Sequence, residues 1–406
     1  MSDIFDKCHR FVRAPAMIGH RDLQLAARIF ARTSPPKNAG PWIEEDGQRL
    51  LQFSSNDYLG LASHPEVHAR VREVAERYGI ASPMGSRLMT GNTRFHIQLE
   101  EEVARFKRTE AAMIFPAGAM AMIGTLACLA GPDDLLLLDE QAHATLVCGA
   151  KASGAKVRFF RHNDLGHLES VLERSDGSQA KAIVVDGVYS MAGDLGPLAD
   201  LVDMKHRYNA RLIVDDAHGT GVFGPQGRGT AAHFDVEEHV DLHLGTFSKA
   251  VGTIGGFAAG QEPVIQYIRF HAPTYVFTKS VPLPVVAATL ASLKLLEQAD
   301  DRRRKLWENA RRLQEGLRAV HLDLGHTQSP ITPIRLPGSE ALYVAEQLLR
   351  VHGIWAAPVV YPAVGLGQSV LRLIPTAMHS PSDIDFVVQS IATIRAAMAL
   401  GTLPIE

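Results

Sequence analysis

Only three cysteines occur in 406 residues, Cys8, Cys128 and Cys148. They are too few for a disulfide framework and badly spaced for a thiolate metal site. The expectation is a reducing compartment, the cytoplasm. Neither charge is in surplus: Lys and Arg number 41 against 44 Asp and Glu, a formal net charge of −3. The cationic excess that binding to nucleic-acid phosphates requires is therefore missing. Asp3, Asp6, Lys7, Arg10 and Arg13 interrupt any apolar stretch that would form a secretory leader. Long apolar runs are also scarce. The uncharged span between Glu110 and Asp133 could cross a bilayer by length alone. It carries Pro116, Gly118, Gly124 and Gly131 and favours Ala over Leu, so it reads as a buried strand, a glycine turn and a buried helix.

What is present is ordinary for a globular chain, 46% hydrophobic and 21% charged residues, at a length too great for one core. Short β-branched or leucine-rich runs alternate with helical patterns, which predicts a mainly parallel sheet covered on both faces, an α/β fold. The strands are expected at Ala112–Phe115, Leu135–Leu138, Val157–Phe160, Ala182–Val185, Arg211–Val214, Leu242–Gly245 and Gly256–Ala259. Helical segments fall at Ile97–Arg108, Leu165–Arg174 and Leu198–Tyr208, and one long helical pattern runs from Ala287 to Leu317. A smaller α+β region follows, with strands at Ile331–Leu336 and Ser369–Ile374 and helices at Leu342–His352 and Ile384–Ala397. The expected organisation is an N-terminal arm (1–54), a large α/β domain (55–285) and a small C-terminal α+β domain (286–406).

Four local patterns can carry chemistry. Lys249 follows a buried strand in Gly245-Thr246-Phe247-Ser248-Lys249 and precedes the glycines Gly252, Gly255 and Gly256. Burying an ammonium is costly unless its pKa falls or it is used covalently, and a Schiff base meets that condition. A solvated loop lysine is the alternative. Leu212-Ile213-Val214-Asp215 places a carboxylate at the carboxyl end of a strand, where open α/β sheets bind ligands and where it can hold a pyridinium proton. Asp215, Asp216 and His218 also admit a metal site, although no further local ligand cluster accompanies them. Phe115-Pro116-Ala117-Gly118-Ala119-Met120 joins a strand to a helix, either an ordinary turn or an anion site of free backbone N–H groups. Asp139-Glu140-Gln141-Ala142-His143 brings a histidine to another strand end.

The ordered set of these patterns resembles the α-oxoamine synthases, a family of fold-type I pyridoxal-phosphate (PLP) enzymes that includes serine palmitoyltransferase and 8-amino-7-oxononanoate synthase. Asn56-Asp57-Tyr58-Leu59-Gly60-Leu61, Gly85-Ser86-Arg87, Asp186–Met191, Tyr275-Val276-Phe277-Thr278, Leu371-Arg372 and His379-Ser380 extend the likeness over most of the chain. The resemblance implies a seven-stranded, mainly parallel PLP-binding domain. It also implies a decarboxylative Claisen condensation of a small amino acid with an acyl thioester, carried by coenzyme A or an acyl-carrier protein, giving an α-amino ketone. Lys249 becomes the Schiff-base lysine and proton-transfer base, and Asp215 the partner of the pyridine nitrogen. His143 stacks on the ring, and His218 with Ser190 surrounds the phenolic oxygen. Gly118, Ala119, Thr246, Ser248 and, from a neighbouring subunit, Thr278 hold the phosphate. Asn56, Arg87 and Arg372 face the substrates, Arg372 gripping the amino-acid carboxylate. A homodimer with shared active sites follows; no metal, nucleic acid or membrane span is implied.

Several residues depart from the family pattern. Pro116, Ala117 and Ala119 stand where small hydroxyls and an aromatic are usual, so phosphate binding leans on the remaining amides and on Thr246, Ser248 and Thr278. Ile80-Ala81-Ser82-Pro83-Met84 replaces a glycine-rich loop, and Lys279 replaces a small residue and is expected to add positive charge beside phosphate or a pantetheine arm. Phe160–Asp164, Gly187–Met191 and Gly245–Gly256 resemble serine palmitoyltransferase, while Asp215–Gly221 with Phe53–Asn56 resembles alanine-using and Tyr361–Val364 glycine-using members. Outside this reaction, a PLP aldolase or aminotransferase and a non-catalytic partner subunit are the alternatives; the second normally lacks the lysine. A nicotinamide dehydrogenase is disfavoured, because the glycines do not form the dinucleotide fingerprint.

Overall fold

The computed structural model describes residues 3–7, 40–45, 47–361 and 363–400. In chain order the strands begin with β1 (Trp42–Glu45), β2 (Gln48–Gln52), β3 (Ala111–Phe115), β4 (Leu135–Asp139) and β5 (Lys156–Phe160). Next come β6 (Lys181–Asp186), β7 (Arg211–Asp215), β8 (Leu242–Thr246) and β9 (Gly256–Gly260). The last four are β10 (Thr332–Pro337), β11 (Ile354–Trp355), β12 (Ala357–Val359) and β13 (Gln368–Leu373). Two compact units result: Asn56–Ser190 with Asp194–Leu306, and the remainder, made of residues up to Ser55, Met191–Gly193 and Trp307 onward.

The first unit is built on a seven-stranded sheet in the order β3-β9-β8-β7-β6-β4-β5, in which β9 runs antiparallel to both neighbours and the other pairs are parallel. All seven expected strands form, each within a residue or two of its expected bounds. Alternate side chains of the same apolar run serve opposite faces, as the period of two in a strand requires. Leu136, Leu138, Val184 and Ile213 pack with Met122 and Leu126 of the helix Gly118–Leu129. Leu135, Leu137, Ile183 and Val185 pack with Leu201 and Met204 of the helix Leu198–Arg207. The uncharged span resolves into β3, a turn and the helix Gly118–Leu129, and no helix among the described residues is long and apolar enough to cross a membrane. Between β8 and β9 the chain reverses through Gly252 (φ 73°), where a Cβ would lie 2.4 Å from the backbone nitrogen of Ala62. Only glycine fits that approach, and it fixes the loop that carries Lys249.

The expected helix from Ala287 to Leu317 is two helices, Leu283–Glu297 and Asp300–Ala319. Gln298 closes the first, and Asp300 and Asp301 complement the positive N-terminal end of the second.

The second unit holds two small sheets, β1-β2-β11 and β10-β13-β12. Residues 42–52 of the expected arm thus form a hairpin whose β2 pairs in parallel with β11. The rest of that arm, residues 8–39 with Cys8, lies outside the described residues. Arg372 sits on β13, 8% exposed, opposite Pro333 and Ala357. His379 stacks on Phe53 at 4.3 Å, and its Nε2 lies 3.0 Å from the Gln52 carbonyl oxygen.

The turn after β7 is anchored by a buried cation. Lys107 Nζ, on the helix Arg94–Lys107, donates to Asp216 Oδ2 (2.8 Å), Thr220 Oγ1 (2.8 Å) and the Arg228 carbonyl (2.6 Å). Asp216 Oδ1 accepts from the Thr230 backbone and hydroxyl at 3.1 and 2.7 Å. Lys107→Met leaves that carboxylate buried without its cation. The expected loss is about 3–5 kcal/mol, seen as a lower midpoint in urea unfolding; an unchanged midpoint refutes this anchoring role.

Candidate active site

A cavity of about 300 Å³ opens where the parallel strands end. Each wall follows from topology, since the turns after the strands converge at one edge of an α/β sheet. Gly118 and Ala119 come from the turn after β3, His143 from the turn after β4 and Asp186 from the end of β6. Asp215 and His218 come from β7 and its turn, and Thr246, Ser248 and Lys249 from β8 and its loop.

Asp215 is 4% exposed and its carboxylate accepts from the Ala217 N–H at 3.0 Å. Burial pushes its pKa up to about 6, against the opposing pull of Lys249 and the Ala217 hydrogen bond. Asp186, its register partner on the neighbouring strand, is pushed well above the usual carboxylate range, first by burial and then by Asp215. Sequence reasoning passed over Asp186 as a site residue, although the signal was present: β4, β6 and β7 each read as an apolar run closed by Asp.

His143 caps the helix Ala144–Ala152, its Nδ1 accepting from the Thr145 N–H, while its own backbone N–H donates to Asp186 Oδ1 at 3.2 Å. Burial and Lys249 lower its pKa, favouring the neutral ring. His218 Nδ1 lies 2.8 Å from the hydroxyl of Tyr58, so the Asn56-Asp57-Tyr58 turn supports the cavity through a residue the motif did not single out for that role. Thr246 Oγ1 lies 2.8 Å from Ser248 Oγ and donates to the Gly255 carbonyl at 2.9 Å.

The helix Gly118–Leu129 has no side chain capping its N-terminus, because Ala117 stands at the cap position. Its first N–H groups therefore face the cavity as an anion site beside two hydroxyls. A Cβ on Gly118 would lie 2.7 Å from Thr246 Oγ1, so the turn can approach β8 only as glycine.

Of the other expected site residues in this unit, Asn56, Arg87, Ser190 and Thr278 are not among those that line the cavity. Val188, not Ser190, lines the cavity from the loop after β6. Thr278 follows Phe277, which is 86% exposed. Arg87 is buried in a different network: its guanidinium donates to Glu100 at 2.9 Å and to Asn92 at 2.9 and 3.2 Å and lies over the Tyr275 ring. Lys279 Nζ donates to the Ala81 carbonyl at 2.7 Å. Arg372 belongs to the other unit.

Residues 48–391 match the family described as aminotransferase class I and II. The chain belongs to that family. A cysteate-C-fatty acyltransferase of Capnocytophaga ochracea is 37% identical over 89% of this chain and 88% of its own length. A serine palmitoyltransferase of Sphingobacterium spiritivorum is 37% identical over 86% and 87%. Among solved structures, the Sphingomonas wittichii serine palmitoyltransferase superposes with a TM-score of 0.91 at 32% identity, covering 99% of this chain and 100% of that one.

Within the family this chain is a fold-type I PLP enzyme, a C-acyltransferase of the α-oxoamine synthase type. The cavity fits the cofactor on its own chemistry: an uncapped helix N-terminus with two hydroxyls for a phosphate, a lysine for an aldehyde, and a buried carboxylate for a ring nitrogen. Gly118→Ala is expected to weaken PLP binding about tenfold through the clash with Thr246. Equilibrium titration of the apoprotein checks this, and unchanged affinity argues against the phosphate turn.

Proposed function

We propose that this acyltransferase joins serine to a long-chain acyl thioester with loss of carbon dioxide. The observation that carries the choice is structural. Serine palmitoyltransferase matches 99% of the chain at a TM-score of 0.91, whereas an 8-amino-7-oxononanoate synthase from Francisella tularensis matches 86% at 0.74 and 26% identity.

Bound PLP supplies an electron sink that stabilises negative charge at the substrate α-carbon. Asp215 holds the proton of the ring nitrogen; its buried carboxylate gains a cation in exchange for the water it lost. Lys249 Nζ would hold the cofactor through its aldehyde and, once free, would take the proton from the substrate α-carbon and later return one. His143, kept neutral, would face the ring without adding charge, and His218, braced by Tyr58, would hold the ring hydroxyl. The amides of Gly118 and Ala119 and the hydroxyls of Thr246 and Ser248 bind the phosphate. Arg372 grips the amino-acid carboxylate as a bidentate fork, and Asn56 meets the acyl carbonyl. Arg87, already engaged by Glu100, serves the loop rather than the substrate.

The working form is a homodimer in the cytoplasm, with Thr278 contributed across the interface. Ile80 (81% exposed), Met84 (77%), Met89 (79%) and Phe277 (86%) form an apolar surface that a monomer has no reason to keep. The two segments are joined to each other, Ser280 N–H to the Gly85 carbonyl at 3.1 Å and Leu283 N–H to Ser82 at 2.8 Å.

The test offers serine, alanine, glycine and cysteate with palmitoyl-coenzyme A and measures thiol release and product mass. Serine is expected to give the long-chain amino ketone; no product with serine but product with another amino acid overturns the choice. Lys249→Ala is expected to abolish product and the yellow colour of the loaded protein together.

A second test follows from Asp215. A carboxyl whose pKa is raised in the fold stabilises the empty protein below about pH 4 and loses that contribution as pH climbs through about 6. Cofactor binding restores it, so the rise in melting temperature on adding PLP is expected to be several degrees larger at pH 7 than at pH 5. In Asp215→Asn that pH dependence disappears.

A further inference from the structure

The most strongly held charge cluster outside the cavity wall centres on His162, in the turn after β5. Its ring bridges two carboxylates from different segments: Nδ1 lies 2.9 Å from Asp139 Oδ1 and Nε2 lies 2.8 Å from Asp194 Oδ2. Asp139, with a fully buried side chain, ends β4 and opens the turn that carries His143. Its two oxygens also accept from the backbone N–H groups of Gln141 (2.8 Å) and Asn163 (3.0 Å). Asp194 closes the loop after β6: its carbonyl accepts from Tyr189 N–H at 3.0 Å, and Val188, bridged to Leu195, lines the cavity. The Tyr189 ring meets the His162 ring edge-on at 4.4 Å.

We propose that His162 is a positioning residue: as an imidazolium donating to Asp139 and Asp194, it clamps the His143 turn to the Val188–Asp194 loop and so sets two walls of the cofactor cavity. A neutral imidazole has one N–H and cannot donate at both ends, so this geometry asks for the doubly protonated ring. Burial works against that charge, but the hydrogen bonds the ring donates to Asp139 and Asp194 and their negative charges outweigh it, and the pKa rises to about 9. The other ionisable groups around it are Tyr189, against the ring, Glu140, whose carboxylate accepts from the His162 backbone at 3.2 Å, and Arg161, Asp164 and His167, which bond to one another in the same turn. Because the folded pKa lies above the ordinary 6.5, the clamp is complete below that pH and is lost as pH rises through about 9.

The inference rests on the cavity being the PLP site, and the experiment separates the two. Apoprotein is titrated with PLP at pH 7 and pH 9.5, following dissociation constant and induced circular dichroism of the bound cofactor, for the natural chain, His162→Gln and Asp194→Asn. Both variants are expected to keep the far-ultraviolet spectrum of the fold. At pH 7 they should bind PLP about tenfold more weakly, the loss expected for one charged hydrogen bond, with altered cofactor dichroism. They should also show less weakening between pH 7 and 9.5 than the natural chain. If both bind PLP like the natural chain at pH 7, the clamp is refuted while the cofactor site stands. If the natural chain itself fails to bind PLP, the site assignment falls and the clamp with it. Should His162→Gln not fold, Asp194→Asn decides alone, since it removes one arm and leaves the histidine in place.

Discussion

Three neighbouring strands, β7, β6 and β4, end in Asp215, Asp186 and Asp139, and the rest of the site answers that crowding of carboxylates. Placing such groups side by side away from water is costly unless each is neutralised. The chain uses a different device for each. Asp139 is given a histidine and two backbone donors. Asp186 is pushed toward its protonated form by burial and by Asp215. Asp215 is left with Lys249 as its nearby cation, so a ligand bringing a positive nitrogen completes the balance. Next to it Asp216, which faces away into the fold, is neutralised permanently by Lys107. Adjacent aspartates thus serve opposite ends, Asp216 held in a buried ion pair and Asp215 open to the cavity.

That arrangement depends on the sheet being parallel through β8 and antiparallel at β9. Parallel strands bring their carboxyl ends to one edge, which is why aspartates far apart in sequence share a cavity. The reversal at β9 needs the tight loop of Gly252 and Gly255, and that loop holds Lys249 back over the end of β8. Helix and sheet approach closely here because Gly118 and Gly256 have no side chains: a Cβ on Gly256 would lie 2.6 Å from the Cα of Gly118. The turn before the helix Gly118–Leu129 therefore lies directly against the hydroxyls of Thr246 and Ser248, which face it across the gap where Pro116 and Ala117 carry none.

Much of this was legible in the sequence because it is local. Apolar runs of four or five residues between turn signals located all seven strands of the large sheet, and a carboxylate closing such a run located Asp215. What escaped depends on distant partners. The hairpin β1–β2 is only half buried and pairs with β11 some 300 residues later, so no local period announced it. Asp186 carried the same signal as Asp215 but was overshadowed by the glycine-rich neighbourhood of the latter. Arg87 looked like a substrate arginine by motif. Its partner Glu100, one helix further on, already takes its guanidinium, and that helix begins with a capping box, not with any sign of a buried ion pair.

Arg87 also shows how the loop departures fit together. Glu100 is shared between Arg87 and Arg269, at 2.9 and 3.0 Å, and accepts from the Ile114 N–H of β3 at 3.2 Å. Beside it Gly85 and Gly91 pack against each other, and a Cβ on Gly91 would meet the Ser280 hydroxyl at 2.1 Å. The stem of the 80–92 loop is therefore rigid and tied to residues 280–283, whatever occupies its tip. Ile80, Met84 and Met89 stand outside this anchored base, with their side chains exposed. Side chains at the tip can therefore change without disturbing the carboxylates at the strand ends, because the base of the loop is held by backbone hydrogen bonds from residues 280 and 283.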